Sequence, residues 1–469
     1  MQTLKISNKL VKYAFIAMFG LIAIHSNAQV KKDSIQIRRI FDMALEDGKA
    51  YENLRTLCKG VGHRISGSAA ADSAVNWGYN LLKSMWVDTV YKIPITVPCW
   101  SRGNIELATI YHDDTRLNIT ALGGSVGTNG LLKAKVVMAY GLEDLELLGE
   151  KAIKGKIVFL NKPFDAKTIN GFEAYGACVS QRYNGASKAA EYGAVGVIVR
   201  SMTHKHDNNP HTGGMGYTDE NNKIPAVAIS TEHADMLSQR LKDMPDLEIG
   251  LRLNCKTLPD KQSYNVVAEI RGKSKNASII TVGGHLDSWD IGEGAHDDGA
   301  GIVHSIEVLR MIRANGYRPK HTVRVVLFMN EENGNRGGKG YAQWVKDRGE
   351  KHLMALESDA GGHTPRGFSI SASDSLYQII SSYRSILEPY GCHVFKPSGG
   401  GGVDINPLKL DSALTINPNM ILLGFLPDSQ RYFDFHHAKT DVFENVHKRE
   451  LEMGAAAIGS MVYLIDKYF

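Results

Sequence analysis

Four short runs of apolar residues mark the second half of the chain, and each run predicts a buried strand. Their almost uninterrupted apolar character is typical of parallel strands that are covered on both faces. The runs lie at residues 279–282, 323–329, 353–356 and 421–426. Because parallel strands of one sheet end at a common edge, we expect the residues that follow these runs to converge in space.

Between the runs, apolar side chains recur with the spacing of amphipathic helices. The three faces are Ile302, Ile306, Leu309 and Ile312; Tyr341, Trp344 and Val345; and Leu376, Ile379, Ile380, Tyr383 and Leu387. Strands that alternate with helices predict an α/β fold, with a mostly parallel mixed sheet covered by helices on both faces. A last helical pattern at residues 451–468 is expected to pack back onto this sheet.

The first half of the chain predicts a different organisation. Residues 35 to about 110 contain two helical patterns, one before Cys58 and one at 69–85, and then an alternating stretch at 90–97 that predicts a strand. Further on, short strand candidates are separated by turn signals, namely KAKVVMAYG, GKIVFLN, GAVGVIVR and IPAVAIS. We therefore expect a small β-rich domain, inserted before the main sheet continues at about residue 258.

Side chains that bind metals follow the apolar runs directly. The segment GGHLDSWDIGEGAHDDGAG begins at Gly283, and the later candidates come after the other runs. The full set is His285, Asp287, Asp297, Asp298, Glu331, Glu332, Asp359 and His437. Imidazole with carboxylates suits Zn²⁺, with Mn²⁺ or Co²⁺ as substitutes. Two ions need a bridging carboxylate, and Asp297 is our candidate for it.

Several of these residues also have a structural interpretation. Asp297 and Asp298 precede a helical pattern and are suited to cap it, which is compatible with metal binding. His436 competes with His437, and neighbours on an extended segment point to opposite faces. Two glycine-rich stretches are weaker signals. The G-x-S-x-G pattern at 123–127 lacks a following helix and predicts a turn, and SGGGG before Val403 predicts an active-site wall or a surface loop.

The ordered motifs GGHLDSWDIGEGAHDDGAG, EENGNRGG, ESDAGG and FHHAKTDVF resemble those of the aminopeptidase and carboxypeptidase family with two co-catalytic zinc ions. Within that family, the chain is similar to the branch of carboxypeptidase Q. The resemblance implies the zinc-peptidase fold and an inserted protease-associated domain that covers the active-site mouth. The implied limits are a signal peptide at 1–28, a catalytic domain at 29–110 and 258–469, and the protease-associated domain at 111–257.

The resemblance also implies a role for each candidate residue. Two zinc ions would be bound, one by His285 and Asp359 and the other by Glu332 and His437, with Asp297 as the bridge. His437 is preferred to His436 because the family places this ligand four residues before an aspartate, here Asp441.

The implied catalytic residues are Glu331 and Asp287. Glu331 would be the general base that takes a proton from zinc-bound water, so that hydroxide attacks, and returns the proton to the leaving amine. Asp287 would orient the His285 imidazole. Asp298 would be a neighbour rather than a ligand, at a step where the family often has a cis peptide.

The implied function is a zinc-dependent exopeptidase that hydrolyses short peptides, in particular dipeptides with free termini. Two alternatives remain open at this point. One is an aminopeptidase that acts on longer peptides, and the other is a non-catalytic binding module on the same fold. The presence of all five proposed ligands and of Glu331 counts against the binding module. The branch also suggests a homodimer, for which the residues give no independent support.

Composition limits the number of domains and the kinds of binding partner that we expect. The chain has 469 residues, which predicts two to three domains, and 43% hydrophobic with 22% charged residues is ordinary for a globular protein. The net charge of +4 is small, and no basic run is interleaved with aromatic residues, so nucleic acid is not an expected partner. Five widely spaced cysteines without a C-x-x-C pair predict neither a disulfide framework nor a cysteine zinc site.

The N-terminus predicts export. Three lysines in the first twelve residues precede an apolar stretch at 13–24, and the small residues at 26–28 form a cleavage site that leaves Gln29 first. The apolar stretch is short for a membrane span, so we favour a cleaved signal peptide over an uncleaved anchor. We expect a periplasmic or secreted protein without a membrane anchor.

Overall fold

The structure is a computed structural model, and it describes residues 31–274, 277–410 and 420–469. The signal peptide predicted at residues 1–28 lies outside this part of the chain. None of the helices formed by the described residues has the length and apolar character needed to cross a membrane. All five cysteines are buried, and none of them forms a disulfide.

The strands of the described residues are, in chain order, β1 (Thr89–Ser101), β2 (Glu106–Ile110), β3 (Thr115–Leu117), β4 (Ile119–Ala121), β5 (Leu132–Ala139), β6 (Ile157–Leu160), β7 (Gly196–Arg200), β8 (Ala226–Ile229), β9 (Glu248–Leu253), β10 (Lys256–Ile270), β11 (Ile279–His285), β12 (Thr322–Phe328), β13 (His352–Glu357), β14 (Pro365–Ser371), β15 (Val394–Pro397) and β16 (Ile421–Pro427).

The α-helices are α1 (residues 31–47 of the described chain), α2 (Ala50–Gly60), α3 (Ala69–Ser84), α4 (Glu143–Ile153), α5 (Gly171–Tyr183), α6 (Gly185–Glu191), α7 (Thr231–Asp243), α8 (Ala300–Ala314), α9 (Arg336–Asp347), α10 (Asp374–Ser382), α11 (Arg384–Leu387), α12 (Pro407–Leu410) and α13 (Lys448–Tyr468). A π-helical turn, Ala295–Gly299, precedes α8.

The main sheet has the strand order β1-β10-β12-β11-β13-β16-β14-β15. Its four central strands, β12, β11, β13 and β16, are parallel to one another, and they coincide with the four apolar runs of the sequence. The flanking pairs β10–β12 and β14–β16 are antiparallel. The prediction of a mostly parallel mixed sheet is confirmed.

Alternate side chains of the central strands enter two separate cores, because successive residues of a strand face opposite sides. Val325 and Leu327 of β12 pack in the core that α8 and α13 close. Val326 and Phe328 pack on the opposite face with Tyr341 of α9. Helices therefore cover both faces of the main sheet, which explains why these strands are apolar throughout.

The second sheet has the order β3-β2-β9-β5-β6-β7-β8-β4, and it contains parallel pairs from β5 to β8. The helices α4 to α7 belong to the same stretch of chain. The chain leaves the main sheet after β1 and returns in β10, which pairs antiparallel with β1. Residues 106–253 are called the inserted region below. Its first strand, β2, precedes the predicted domain limit at residue 111.

Candidate metal centre and active site

The five predicted metal ligands converge beyond the carboxyl ends of the central strands. His285 Nε2 lies 3.2 Å from Asp297 Oδ1 and 3.4 Å from Asp359 Oδ1. On the other side of Asp297, His437 Nε2 lies 3.2 Å from Asp297 Oδ2 and 3.1 Å from Glu332 Oε2. Each histidine thus faces two carboxylates, and Asp297 directs one oxygen to each histidine.

The charge and burial of this cluster fit divalent cations. Burial opposes protonation, yet the carboxylates of Asp359 and Asp297 raise the pKa of His285 well above its usual value. In the same way, Glu332 and Asp297 raise the pKa of His437 to about 9. Within the part of the chain that the structure describes, the buried oxygens Asp297 Oδ2 and Glu332 Oε1 accept no hydrogen bond of good geometry, although His437 Nε2 lies 3.2 Å from the first of them. Buried negative charge of this kind needs a cation.

His436 also lies beside the cluster, but its contacts with the carboxylates differ from those of His437. Its ring stacks on the His437 ring with a centroid distance of 3.6 Å, and its Nε2 lies 3.7 Å from Asp297 Oδ2. By distance, Asp297, His436 and His437 together are also compatible with a cation. His437 is closer to Asp297 and also reaches Glu332, so we retain it as the predicted ligand.

Glu331, the predicted general base, precedes the predicted ligand Glu332 in the loop after β12. Burial raises the pKa of Glu331 well above its ordinary value, and repulsion from the carboxylates of Asp359 and Glu332 adds to the effect. A carboxyl group with a raised pKa holds a proton more readily than an exposed one, and it is suited both to take and to return a proton. Its environment is therefore appropriate for general acid–base chemistry.

Asp287 serves the cluster in two ways. The His285 Nδ1 lies 3.0 Å from the backbone carbonyl oxygen of Asp287 and 3.8 Å from its carboxylate, so the imidazole is oriented by the main chain. The carboxylate instead accepts backbone N–H groups from Asn330 at 2.7 Å, Glu331 at 3.1 Å and Glu332 at 3.3 Å. It holds the loop that carries the base and a ligand.

Two further aspartates position the cluster through backbone groups. Asp298 Oδ2 accepts the N–H of His285 at 3.0 Å, and its Oδ1 caps the first turn of α8. The peptide between Asp297 and Asp298 is cis. Asp441, which served only as a marker in the sequence, accepts the N–H groups of His296 at 2.7 Å and Asp297 at 3.1 Å. Asp441 therefore holds the residue that both histidines share.

The inserted region reaches the same cluster, and sequence reasoning did not predict these contacts. Arg182 Nη1 lies 3.3 Å from His437 Nδ1, and the carbonyl oxygen of Thr212 lies at the same distance from that nitrogen. Trp289, which lies outside the inserted region, packs its ring edge-to-face against His437 at a centroid distance of 5.8 Å. Arg182 and Thr212 carry no periodic or motif signal, whereas Trp289 lies within the motif that begins at Gly283.

The G-x-S-x-G pattern is a turn, as predicted. The buried Ser125 Oγ accepts the backbone N–H of Ala226 at 2.9 Å and donates to the carbonyl of Val126 at 3.1 Å. Gly123 packs on Trp289 so closely that a Cβ would lie 1.8 Å from the indole ring. The glycine is required by this packing.

A cavity of about 660 Å³ opens beside the cluster, and Asp359 lines it. Gly401 and Gly402 form part of its wall, so the glycine-rich loop lies beside the same cavity as Asp359. Ile169 and Phe172 line another part, and both belong to the inserted region. The two units of the fold thus share the lining of one cleft.

Comparison with known proteins gives concordant matches. A model of peptidase family M28 matches residues 265–462, and a model of the PA domain matches residues 132–237. Carboxypeptidase Q of Homo sapiens is 32% identical over 97% of this chain and 98% of the human protein.

Solved structures agree with these matches. A peptidase M28 precursor from Shewanella amazonensis SB2B superposes with a TM-score of 0.87 at 33% identity, covering 93% of this chain and 97% of that protein. A zinc aminopeptidase from Bacillus subtilis shares the fold, with a TM-score of 0.63 at 19% identity and coverage of 90% and 95%.

Proposed function

Because the chain belongs to peptidase family M28 and is a metallopeptidase related to carboxypeptidase Q, we propose that it is a zinc exopeptidase that hydrolyses short peptides. Its preferred substrates would be dipeptides with both termini free. The observation that carries this proposal is the sharing of the Asp297 carboxylate by His285 and His437. Two metal ions about 3.5 to 4 Å apart require such a bridging carboxylate.

We assign two zinc ions to the cluster. One would be held by His285 and Asp359, the other by Glu332 and His437, and both by Asp297. The buried carboxylate oxygens of Asp297 and Glu332 support this assignment. When bound, zinc polarises a substrate carbonyl and makes water acidic enough to lose a proton near neutral pH.

We assign the proton transfers to Glu331. Its carboxylate takes a proton from the attacking water and delivers it to the nitrogen of the leaving amine. The water oxygen forms a bond to the carbonyl carbon, the C–N bond breaks, and one water is consumed for each peptide bond. The hydrogen bonds from the backbone of Glu331 and Glu332 to Asp287 keep the base beside the cluster.

The cavity beside Asp359 supports a short substrate. Its volume of about 660 Å³ lies within the range of roughly 300 to 1,000 Å³ that is usual for sites of small molecules. Ile169 and Phe172 of the inserted region line one part of it. A wall of this kind limits the length of peptide that the cleft accommodates.

Two basic residues of the same cavity support recognition of a free carboxylate. Arg366 and Lys396 both line it. Arg366 is already paired with Asp428 at 2.8 Å, whereas Lys396 is exposed. Three carboxylates line the cavity as well, those of Glu357, Asp359 and Asp428. Lys396 is therefore the group that would attract the terminal carboxylate of a dipeptide. A longer peptide would carry this carboxylate too far from the scissile bond.

We also propose export and dimerisation, the first from residues 1–28 and the second from the resemblance alone. Sequencing the N-terminus of the protein from its own cells tests export, with Gln29 as the expected first residue. An intact N-terminus in the membrane fraction would contradict cleavage. Sedimentation equilibrium tests the dimer, and a mass of one chain would contradict it.

A matched substrate panel tests the proposed activity. One dipeptide is compared with its N-acetylated and C-amidated forms and with a pentapeptide that begins with the same residues, and Glu331→Gln protein serves as the blank. We expect kcat/KM to fall about 10-fold or more when either terminus is blocked, since a lost charged contact is worth at least that factor. Faster cleavage of the pentapeptide from its N-terminus would favour the aminopeptidase alternative. Zinc binding without hydrolysis would favour the binding module.

A further inference from the structure

We propose that the inserted region is a structural part of the metal centre, with Arg182 as a positioning residue for the ligand His437. This inference rests on the proposed zinc site. The parts concerned are α5, which carries Arg182, and residues 211–214, called the contact segment below. The role differs from covering the cleft, because it acts on the geometry of one ligand.

The contact segment is joined to the ligand loop by backbone hydrogen bonds. The N–H of Thr212 donates to the carbonyl of His437 at 2.8 Å. His211 forms an isolated bridge with Ala438, and its Nδ1 lies 2.8 Å from the carbonyl oxygen of His436. The two segments thus align side by side across the boundary between the units.

The contact segment also determines which nitrogen of His437 carries its proton. The Nε2 of His437 faces Asp297 and Glu332, where the metal would lie, so the neutral ligand needs its proton on Nδ1. The carbonyl oxygen of Thr212 lies 3.3 Å from Nδ1 and accepts that proton. A ligating histidine usually needs such an acceptor to fix its tautomer and ring orientation.

Arg182 fixes the contact segment in place. The buried guanidinium donates from Nε to the carbonyl of Gly214 at 3.3 Å, and its Nη1 lies 3.3 Å from His437 Nδ1. It also lies over the Tyr175 ring, 5.5 Å from the centroid. A protonated Nδ1 cannot accept from Arg182, and two donors at this distance do not attract each other. The guanidinium therefore acts on His437 by holding the contact segment through its bond to Gly214.

Backbone conformation shows how closely these parts fit. Gly213 has a φ of +137°, and a Cβ there would lie 2.4 Å from Arg182 Nη1 and 2.6 Å from His437 Nδ1. His437 itself has a φ of +58°, which is uncommon for a residue other than glycine. Such a conformation persists only when the surroundings determine it, and here the surroundings include the contact segment.

The two halves of the cluster therefore differ in their support. His285 is oriented by the carbonyl of Asp287, two residues away in the main unit. His437 is oriented by Thr212, which belongs to the inserted region. Perturbing the inserted region should weaken one metal site and spare the other.

Zinc content of the full chain tests this inference. Wild type, Arg182→Met and Gly213→Ala are dialysed against buffers of fixed free zinc concentration, and zinc per chain is measured. We expect both variants to lose about one zinc at a concentration where wild type holds two, because loss of such supporting contacts typically lowers metal affinity about 10- to 100-fold. Arg200→Met is the matched control, since Arg200 pairs with Asp235 in the same region at 2.6 Å.

The zinc content of the variants distinguishes the inference about the inserted region from the proposed function. Circular dichroism establishes which variants are folded. If Arg182→Met does not fold, the zinc content of Gly213→Ala still tests the inference. Retention of two zincs with wild-type affinity overturns the inference but leaves the proposed function intact. Loss of both zincs together also overturns it, since that result indicates general destabilisation. Failure of wild type to bind zinc overturns the proposed function itself.

Discussion

The carboxylate of Asp287 accepts a hydrogen bond from the backbone N–H of Glu331 at 3.1 Å. Asp287 lies just beyond the end of β11, and Glu331 lies in the loop after β12, the neighbouring parallel strand. The bond therefore fixes the loop of the proposed base relative to the strand that ends in the ligand His285. A charged acceptor with buried N–H donors makes a strong contact of this type.

Removing this acceptor should damage both the fold and the site. In Asp287→Ala, the N–H groups of Asn330, Glu331 and Glu332 lose their shared partner. We expect the free energy of unfolding to fall by about 3 kcal/mol or more, because each of the three unsatisfied donors costs roughly 1 to 3 kcal/mol. Urea unfolding measures the first effect, and we expect kcat/KM to fall about 100-fold or more as well. A folded variant with wild-type kcat/KM would contradict the role of Asp287.

Glu331→Gln should separate catalysis from metal binding. The amide retains the size of the side chain but cannot take a proton, so we expect kcat to fall about 10²- to 10⁴-fold. Zinc content and melting temperature should stay near those of wild type. Glu444→Gln is the control, as that exposed carboxylate pairs with Lys59 at 2.7 Å. Near wild-type turnover of Glu331→Gln would remove Glu331 from the mechanism.

Lys396→Met should change substrate affinity more than turnover. If Lys396 binds the terminal carboxylate, its loss should raise KM for free dipeptides by about 10-fold, equivalent to about 1.4 kcal/mol, with kcat nearly unchanged. The C-amidated substrate should be insensitive, because it has no carboxylate. Lys339→Met, at an exposed position of α9, is the control. An equal rise in KM for both substrates would contradict carboxylate recognition.

The buried carboxyl group of Glu452 is expected to make the protein less stable as the pH rises. Burial raises the pKa of Glu452 from 4.5 to about 7, and the nearby carboxylate of Glu307 adds to the shift, whereas the N–H of Tyr51 opposes it. Between about pH 4.5 and pH 7, the folded chain therefore binds more protons than the unfolded chain. The free energy of unfolding falls with increasing pH over this range.

The corresponding variant should remove this dependence. We expect Glu452→Gln to have a free energy of unfolding about 1 to 3 kcal/mol above that of wild type at pH 8, with the gain vanishing near pH 4.5. Glu46→Gln, at an exposed carboxylate, should change stability by less than about 0.5 kcal/mol. Denaturant unfolding at several pH values makes the measurement. An equal effect of Glu452→Gln at both pH values would contradict the shift.

Much of the fold could be predicted from local patterns. The apolar runs coincide with β11, β12, β13 and β16 because strands buried on both faces admit few polar residues. Parallel strands share one carboxyl edge, so the residues that follow them meet there. This reasoning predicts that His285 and Asp359 lie close together, and their side chains are 3.4 Å apart.

The function of particular groups within the site was less predictable. The resemblance implies that Asp287 orients His285 without distinguishing its carboxylate from its carbonyl oxygen, and in the structure the carbonyl oxygen is the closer of the two. A sequence pattern identifies a residue but not whether its main chain or its side chain makes the contact. The choice between His436 and His437 depends on the spacing of the family's motif. In the structure, the Nε2 atom of His436 lies 3.7 Å from Asp297 Oδ2 and that of His437 lies 3.2 Å from it.

The contacts from the inserted region could not be predicted. Arg182 and Thr212 are far from His437 in sequence, and neither belongs to an apolar period or a metal-binding motif. They meet His437 only because the antiparallel β1–β10 pair returns the chain to the main sheet with the second sheet beside the ligand loop. Such contacts depend on the relative placement of two sheets, which local patterns do not encode.

The most direct test of the central claim is the zinc content of the purified protein, measured with dipeptide hydrolysis before chelation, after chelation and after zinc is restored. We expect about two zinc ions per chain, activity that disappears with their removal and activity that returns on reconstitution. A protein that binds no zinc, or that hydrolyses the dipeptide equally well without it, would contradict the proposed metal centre of His285, Asp297, Glu332, Asp359 and His437.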